Sequence, residues 1–202
     1  MAIYLDDQAA DLAGTTLSDV FEAARSRLDP EGRLVIEVQL DGETLSPDAL
    51  DDAMDQTVAG REVSLYTAEA ADLATAALEQ IEAALEDAKL KQEQAGELLQ
   101  QDRAGEAMTI LGEAVQTWLQ SQQAMAQSAS LAGVELNEVR IDDRGFEDLT
   151  QELIERLTEL KSLIEAGDTV SLGDALQYEW PELNDRWRAI AAHLRDRVAS
   201  AG

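Results

Sequence analysis

From Ala68 to the end of the chain, apolar residues recur only at intervals of three and four, and that spacing commits most of the sequence to helix. Leu78, Ile81, Leu85, Ala88, Ala95 and Leu99 make the first stripe, with Glu79, Glu82, Glu86, Glu93 and Glu97 beside it. Thr67 stands where the cap of this helix would fall. Asp102-Arg103-Ala104-Gly105 breaks the pattern, and Met108, Leu111, Val115, Trp118, Met125 and Ala129 resume it. Two long helices on so short a connection predict an antiparallel hairpin.

Gly133–Gly145 reads as a loop turning at Asp142-Asp143-Arg144-Gly145. A third stripe uses Phe146, Leu149, Leu153, Leu157, Leu160 and Ile164 and stops at Gly167. The fourth opens near Ser171, with Asp174 in a capping-box-like placement, and carries Leu172, Leu176, Leu183, Trp187, Ile190, Leu194 and Val198. Pro181 predicts a kink or break just after Tyr178-Glu179-Trp180. The expected helices span about 68–101, 104–132, 146–166 and 171–199, making residues 68–202 an all-α antiparallel hairpin or four-helix bundle. With aromatics at only 4%, an Ala- and Leu-rich core suits close-packed helices.

Residues 1–67 follow another rule. Ile3-Tyr4-Leu5 is β-prone and closes at Asp6-Asp7, and a second short segment runs to Gly14. Thr15 or Thr16 is placed to cap a helix whose apolar face is Leu17, Val20, Phe21, Ala24 and Leu28. Asp29-Pro30-Glu31-Gly32 ends it. Leu34, Ile36, Val38 and Leu40 then alternate with Arg33, Val35, Glu37 and Gln39, which predicts a half-buried strand. Asp41-Gly42 turns it into a hairpin with Glu43-Thr44-Leu45. Ser46-Pro47-Asp48 starts a short helical turn, and Arg61–Thr67 is a last strand with Val63 and Leu65 inward. The chain is therefore expected to be α+β, with a small mixed domain at 1–67 ahead of a helical one at 68–202.

The order strand, strand, helix, strand, short strand, helical turn, strand resembles the ubiquitin-like β-grasp layout. In length and turn placement it is most similar to the small sulfur-carrier proteins of thiamine and molybdopterin biosynthesis. That resemblance covers residues 1–67 and implies the fold rather than the chemistry. Those carriers act through a free C-terminal Gly-Gly, whereas here the last strand continues through Thr67-Ala68-Glu69 towards a helix and the sequence closes on Ser200-Ala201-Gly202.

Charge narrows the partners. There are 42 acidic against 15 basic residues, a net charge of -27, which repels nucleic-acid phosphates and anionic lipid. Such a surface serves solubility or salt adaptation, or attracts a basic partner. The absence of cysteine excludes disulfides and thiolate chemistry. MAIYLDDQAADLAG has no basic segment ahead of an apolar stretch, so no secretory leader is expected in it. Ala114–Val134 carries no Asp, Glu, Lys or Arg, but its many Gln, Ser and Thr residues exclude a membrane span. The expected location is the cytoplasm.

The candidate chemistries are few. Glu-x-x-His pairs, which a di-metal bundle needs, are missing: the single histidine, His193, has Ile190 three places before it. Asp142-Asp143 lacks calcium-loop spacing. No nucleophile motif surrounds His193, and no glycine-rich run precedes a lysine. No metal, no cofactor and no catalysis are expected. What remains is a non-enzymatic interaction protein: an adaptor, an assembly factor or a chaperone-like protein, with its helices as the binding surface. The alternative is a β-grasp accessory or carrier-like subunit of a larger enzyme. A neutral stretch in so acidic a chain should touch protein, either as a central helix or as a contact surface. The residues expected to meet a partner are Trp118, Gln122 and Met125 there, extended sideways by Leu119 and Gln123, with Tyr178 and Trp180 from the aromatic-rich fourth helix. The expected partners are proteins, basic or aggregation-prone, or a second copy in a homodimer, with no nucleic acid and no membrane.

Overall fold

The structure is a computed structural model describing residues 2–141 and 143–201, so Met1, Asp142 and Gly202 lie outside it. The chain is α+β and divides into two compact units, Met1–Leu73 and Ala74–Gly202.

The first unit is a five-stranded sheet with helix α1 (Leu17–Leu28) on its apolar side. Strands β1 (Ala2–Leu5), β2 (Gln8–Ala9), β3 (Arg33–Leu40), β4 (Glu43–Thr44) and β5 (Glu62–Glu69) lie in the order β2-β1-β5-β3-β4. β1 and β5 are parallel, and the other pairs are antiparallel. Leu17, Val20, Ala24 and Leu28 bury the face of α1 against Ile3, Val38, Leu40, Val63 and Leu65. The short helix α2 (Pro47–Ala53), capped by Ser46, adds Ala53 to that core.

Turn chemistry sets the register. Asp6 and Asp7 at the β1–β2 corner, and Asp41 with Gly42 at the β3–β4 corner, hold the left-handed backbone that tight hairpins need. Thr16 caps α1 in a reciprocal box with Asp19.

Two expectations fail in this unit. The even-numbered face of β3 is not continuous, because the pairing with β5 slips between Val35 and Glu37 and leaves Ile36 as the extra residue of a bulge, 56% exposed. Val38 and Leu40 stay inward, but beyond the bulge it is Val35 that packs on the core. Thr67 does not cap the following helix. It lies inside β5, where its hydroxyl bonds the Asp6 carboxylate (2.7 Å) and accepts from Arg33 (2.6 Å).

The second unit is built from α3 (Ala70–Gln100), α4 (Ala104–Leu131), α5 (Phe146–Ala166), α6 (Thr169–Asp174) and α7 (Trp180–Ala201). Between α4 and α5, the expected loop holds a small hairpin of β6 (Arg140–Ile141) and β7 (Arg144–Gly145). The cap of α6 is Asp168, which accepts from the Ser171 amide, rather than Ser171 itself. The disturbance expected at Pro181 is placed just before it, as a wider π turn over Ala175–Glu179.

Helices α3 and α7 run antiparallel, and side-chain pairs fix their register. Glu82 meets Arg195 (2.6 Å), Glu86 meets Arg188, Lys89 meets Asp185 (2.9 Å) and Gln92 meets Asn184. The first three are surface ion pairs, worth about 0–1 kcal/mol each. The fourth is buried. Asn184 donates to the Gln92 carbonyl and to the Trp180 backbone, while Gln92 Nε2 and Asn184 Oδ1 lack partners among the described residues. Farther along, Gly96 lets α3 approach α6: a Cβ there would sit 2.9 Å from Gln177 Cγ and 3.4 Å from the Gly173 carbonyl. Lys91 reaches Glu113 across the α3–α4 hairpin (3.1 Å).

Candidate partner-binding surface

Helix α4 has two faces with opposite fates. Ala107, Leu111, Ala114, Trp118, Ser121, Met125 and Ser128, spaced four and three apart, are buried. Gly105, Thr109, Gly112, Gln116, Leu119, Gln123, Ala126 and Ser130 repeat the same spacing on the far side, and all are exposed. Both stripes are needed: the inner one carries packing, and the outer one is neutral without being covered.

The inner stripe centres on Trp118. Its ring meets Trp180 and Trp187 edge-on, with centroids 5.9 and 5.7 Å apart, and Phe146 meets Trp187 at 5.3 Å. Trp118, Trp180 and Met125 are buried in the core, as a central α4 requires, and this corrects the expectation that they meet a partner. Gln122 is half-buried on the shoulder of α4. Tyr178 is 73% exposed, because the π turn rotates it out of the phase that brings Leu176 and Trp180 inward. Those five residues do not form one patch.

The exposed material lies next to them. Leu119 is 50% and Leu131 41% exposed, and with Gln116, Gln120, Gln123 and Gln127 they cover the outside of α4 without a charge. Sequence reading placed Leu119 and Gln123 only at the edge of the Trp118 stripe. Their position opposite the core follows once Trp118 is taken as the inward direction. A mainly aliphatic groove of about 420 Å³ adjoins this face, between Met108, Leu111 and Val115 of α4 and Leu157, Leu160 and Ile164 of α5, with Lys161 and Glu165 also lining it. Nothing in either helix alone signals it, since it is made from the shoulders of two stripes.

Another concavity is polar. A cleft of about 780 Å³ lies along α5 and the β6–β7 hairpin, where Arg140, Arg144 and Arg156 face Asp148, Glu152, Glu155 and Glu159. Its arginines are all paired, while among the described residues Glu155 accepts only from the Gln151 amide. Glu152 takes both Arg144 (2.7 Å) and Arg186 (2.8 Å), and Arg156 bonds Glu159 and Glu179. Partial burial would lower the affinity of Arg156 for its proton, but the carboxylates of Glu159, Glu179 and Glu152 outweigh it and raise its pKa. His193 is exposed on α7, in a second cleft beside Glu138 and Arg197. Among the described residues, no three His, Cys, Asp or Glu side chains converge as metal ligands. Asp142, half of the Asp142-Asp143 pair, lies outside those residues.

Residues 76–190, more than half of the sequence, match the family model of a domain of unknown function, DUF8042. The chain belongs to the DUF8042 family. The DUF8042 span takes in most of α3, all of α4, α5 and α6, and α7 as far as Ile190. Both stripes of α4, the aliphatic groove and the tryptophan cluster thus fall inside it. No curated protein and no solved structure matches the chain. Among the described residues, no helix is long and apolar enough to cross a membrane.

Proposed function

We propose that this chain is a non-enzymatic interaction module, an adaptor, assembly factor or chaperone-like protein, which binds other protein through its DUF8042 helices. The observation that carries this reading is the outer face of α4: exposed, and free of charge in a chain of net charge -27. Charged side chains are cheap on a solvated helix and costly in a contact, so their exclusion from an exposed face fits a surface that is covered at work. The aliphatic groove beside it offers an apolar side chain a seat.

In the same reading, α3, α4, α5 and α7 form an antiparallel four-helix bundle, supported by the α3–α7 register and the short α3–α4 turn. The first unit is a β-grasp. Its strand order, the parallel β1–β5 pair and the helix between β2 and β3 support that assignment. This order also favours a second reading, in which the sheet unit docks the chain on a larger enzyme as an accessory subunit. Carrier chemistry is not part of it, because β5 passes directly into α3 and offers no free tail.

The experiment uses the full chain as bait in native lysate. The proposal expects a captured protein that is lost with Leu119→Glu/Gln123→Glu and kept with Tyr4→Ala/Tyr66→Ala on the sheet. The reverse pattern supports the accessory-subunit reading and rejects the helical surface.

A further inference from the structure

We infer that the outer face of α4 is the surface on which two copies of this chain pair, helix against helix and antiparallel; the inference rests on the helical unit being an interaction module. Charge chooses the occupant. Two chains of net charge -27 repel each other, and the repulsion is least where neither carries a charge. The Ala114–Val134 segment is the long stretch that meets this condition. A basic partner would be drawn to the many exposed carboxylates elsewhere on the chain and gain nothing from a neutral face. The occupant is therefore a protein as acidic as the chain itself.

The face also complements itself. Gln116, Gln120, Gln123 and Gln127 are exposed, and each amide both donates and accepts. A two-fold contact requires one patch to match its own copy, which a row of carboxylates or of ammonium groups does not do. From Ala114 to Leu131 the neutral part of α4 is about 27 Å long at 1.5 Å per residue, enough for several turns of helix pairing.

Orientation follows from Glu113, which pairs with Lys91 yet keeps 56% of its side chain exposed beside Gly112 and Gln116. Parallel pairing would place Glu113 against its own copy. Antiparallel pairing centred on Leu119 places it opposite the neutral turn around Ala124–Gln127, and it also opposes the helix dipoles. The same centre sets Leu119 against Leu119 and Gly112 against Ala126, with Gln123 one residue from the level of Gln116. A Cβ at Gly112 would meet nothing within 4 Å, so the helix surface is open there to a close neighbour.

The chain has no cysteine, so single introduced cysteines report proximity without background. In the full chain, Leu119→Cys is expected to oxidise to a disulfide-linked dimer. Gly112→Cys chains are expected to cross-link to Ala126→Cys chains and not to one another. Sedimentation should show the mass doubling as concentration rises into the hundreds of micromolar, at lower concentration when sodium chloride screens the repulsion. Leu119→Glu/Gln123→Glu should keep the single-chain mass throughout, with an unchanged helical melt. A single-chain mass for the natural sequence in salt, self-linking of Gly112→Cys, or a dimer that survives the double substitution overturns the inference. If the natural chain stays single while the double substitution still abolishes capture from lysate, the second copy is wrong and the interaction module stands. A dimer with no other protein captured leaves the pairing in place and removes the client.

Discussion

In the N-terminal unit every fully buried side chain among the described residues is apolar, whereas the helical unit buries Gln92, Ser121, Ser128 and Asn184 beside three tryptophans. The sheet unit keeps its polar bonds at corners: Asp6, Asp19 and Asp41 each tie a turn or cap through backbone amides. A sheet draws register from its own ladder and from its turns, so its core can be purely apolar. Helices packed on Ala and Leu can slide or rotate against one another, and a buried amide pair penalises every register but one. That specificity role is a hypothesis for Gln92 and Asn184, with the coiled-coil asparagine as its physical precedent.

The largest effect should come from the helical core. Trp118→Ala removes the ring that both other tryptophans contact, and should cost about 3–5 kcal/mol. All three tryptophans, Trp118, Trp180 and Trp187, lie in the helical unit, so indole fluorescence reports that unit during urea unfolding. The amide signals of the sheet should melt where they did before. An equal loss in both units would show that their cores are not independent.

Next comes the amide pair. Asn184→Ala leaves Gln92 buried and without its partner, at a cost of about 1–3 kcal/mol. Gln92→Leu/Asn184→Leu should recover most of that stability while broadening the helical amide spectrum as register loosens. A stable, sharp spectrum in the double variant would remove the specificity argument. Thr16→Ala should cost about 1 kcal/mol, confined to the sheet unit, because it deletes the cap bond to Asp19.

The smallest of these effects is acid sensitivity. Backbone amides of Thr16 and Thr15 hold Asp19 below the ordinary 3.8 of aspartate, and the Glu62 amide with Arg61 does the same for Asp41. At Asp6, burial pushes the other way, but the Thr67 hydroxyl and amide together with Arg33 outweigh it. With folded pKa values depressed, the unfolded state binds more protons across that interval. The stabilisation is complete above 3.8 and lost as pH falls through the lower folded values. Sheet amides should therefore weaken first below pH 3.8, since among the described residues the helical unit has Asp168 as its comparable aspartate, beside Glu106 held low by the exposed Arg103. Loss beginning in the helices would contradict this.

Much of this architecture could be read from residues whose local rule decides the outcome. Thr16 followed by Asp19 marks a cap, Asp41-Gly42 marks a hairpin, and Gly167 takes the left-handed backbone that ends α5. The misreadings come from places where a partner element rewrites the phase. The β3 alternation gave no sign of the bulge at Ile36, because a bulge is set by the opposing strand. Thr67 looked like a cap until Asp6 and Arg33, both distant in sequence, were seen to claim its hydroxyl. Tyr178 and Trp180 read as one aromatic cluster, yet a π turn separates them into surface and core. Nothing in α3 alone marks Gln92 for burial, since only the opposing helix supplies Asn184. The candidate surface was half legible: the neutral run was visible, but its outward side needed the inward direction of Trp118.

The account's central claim is that α4 carries packing on one side and recognition on the other. Leu119→Glu/Gln123→Glu tests it in one sample, by following the helical melt and the association of the same preparation. The account predicts an unchanged melting temperature, because both residues face solvent, together with loss of the paired or captured state. A fall in melting temperature like that of Trp118→Ala would place this face in the core. An unchanged melt with unchanged association would leave it a neutral surface without a role in binding.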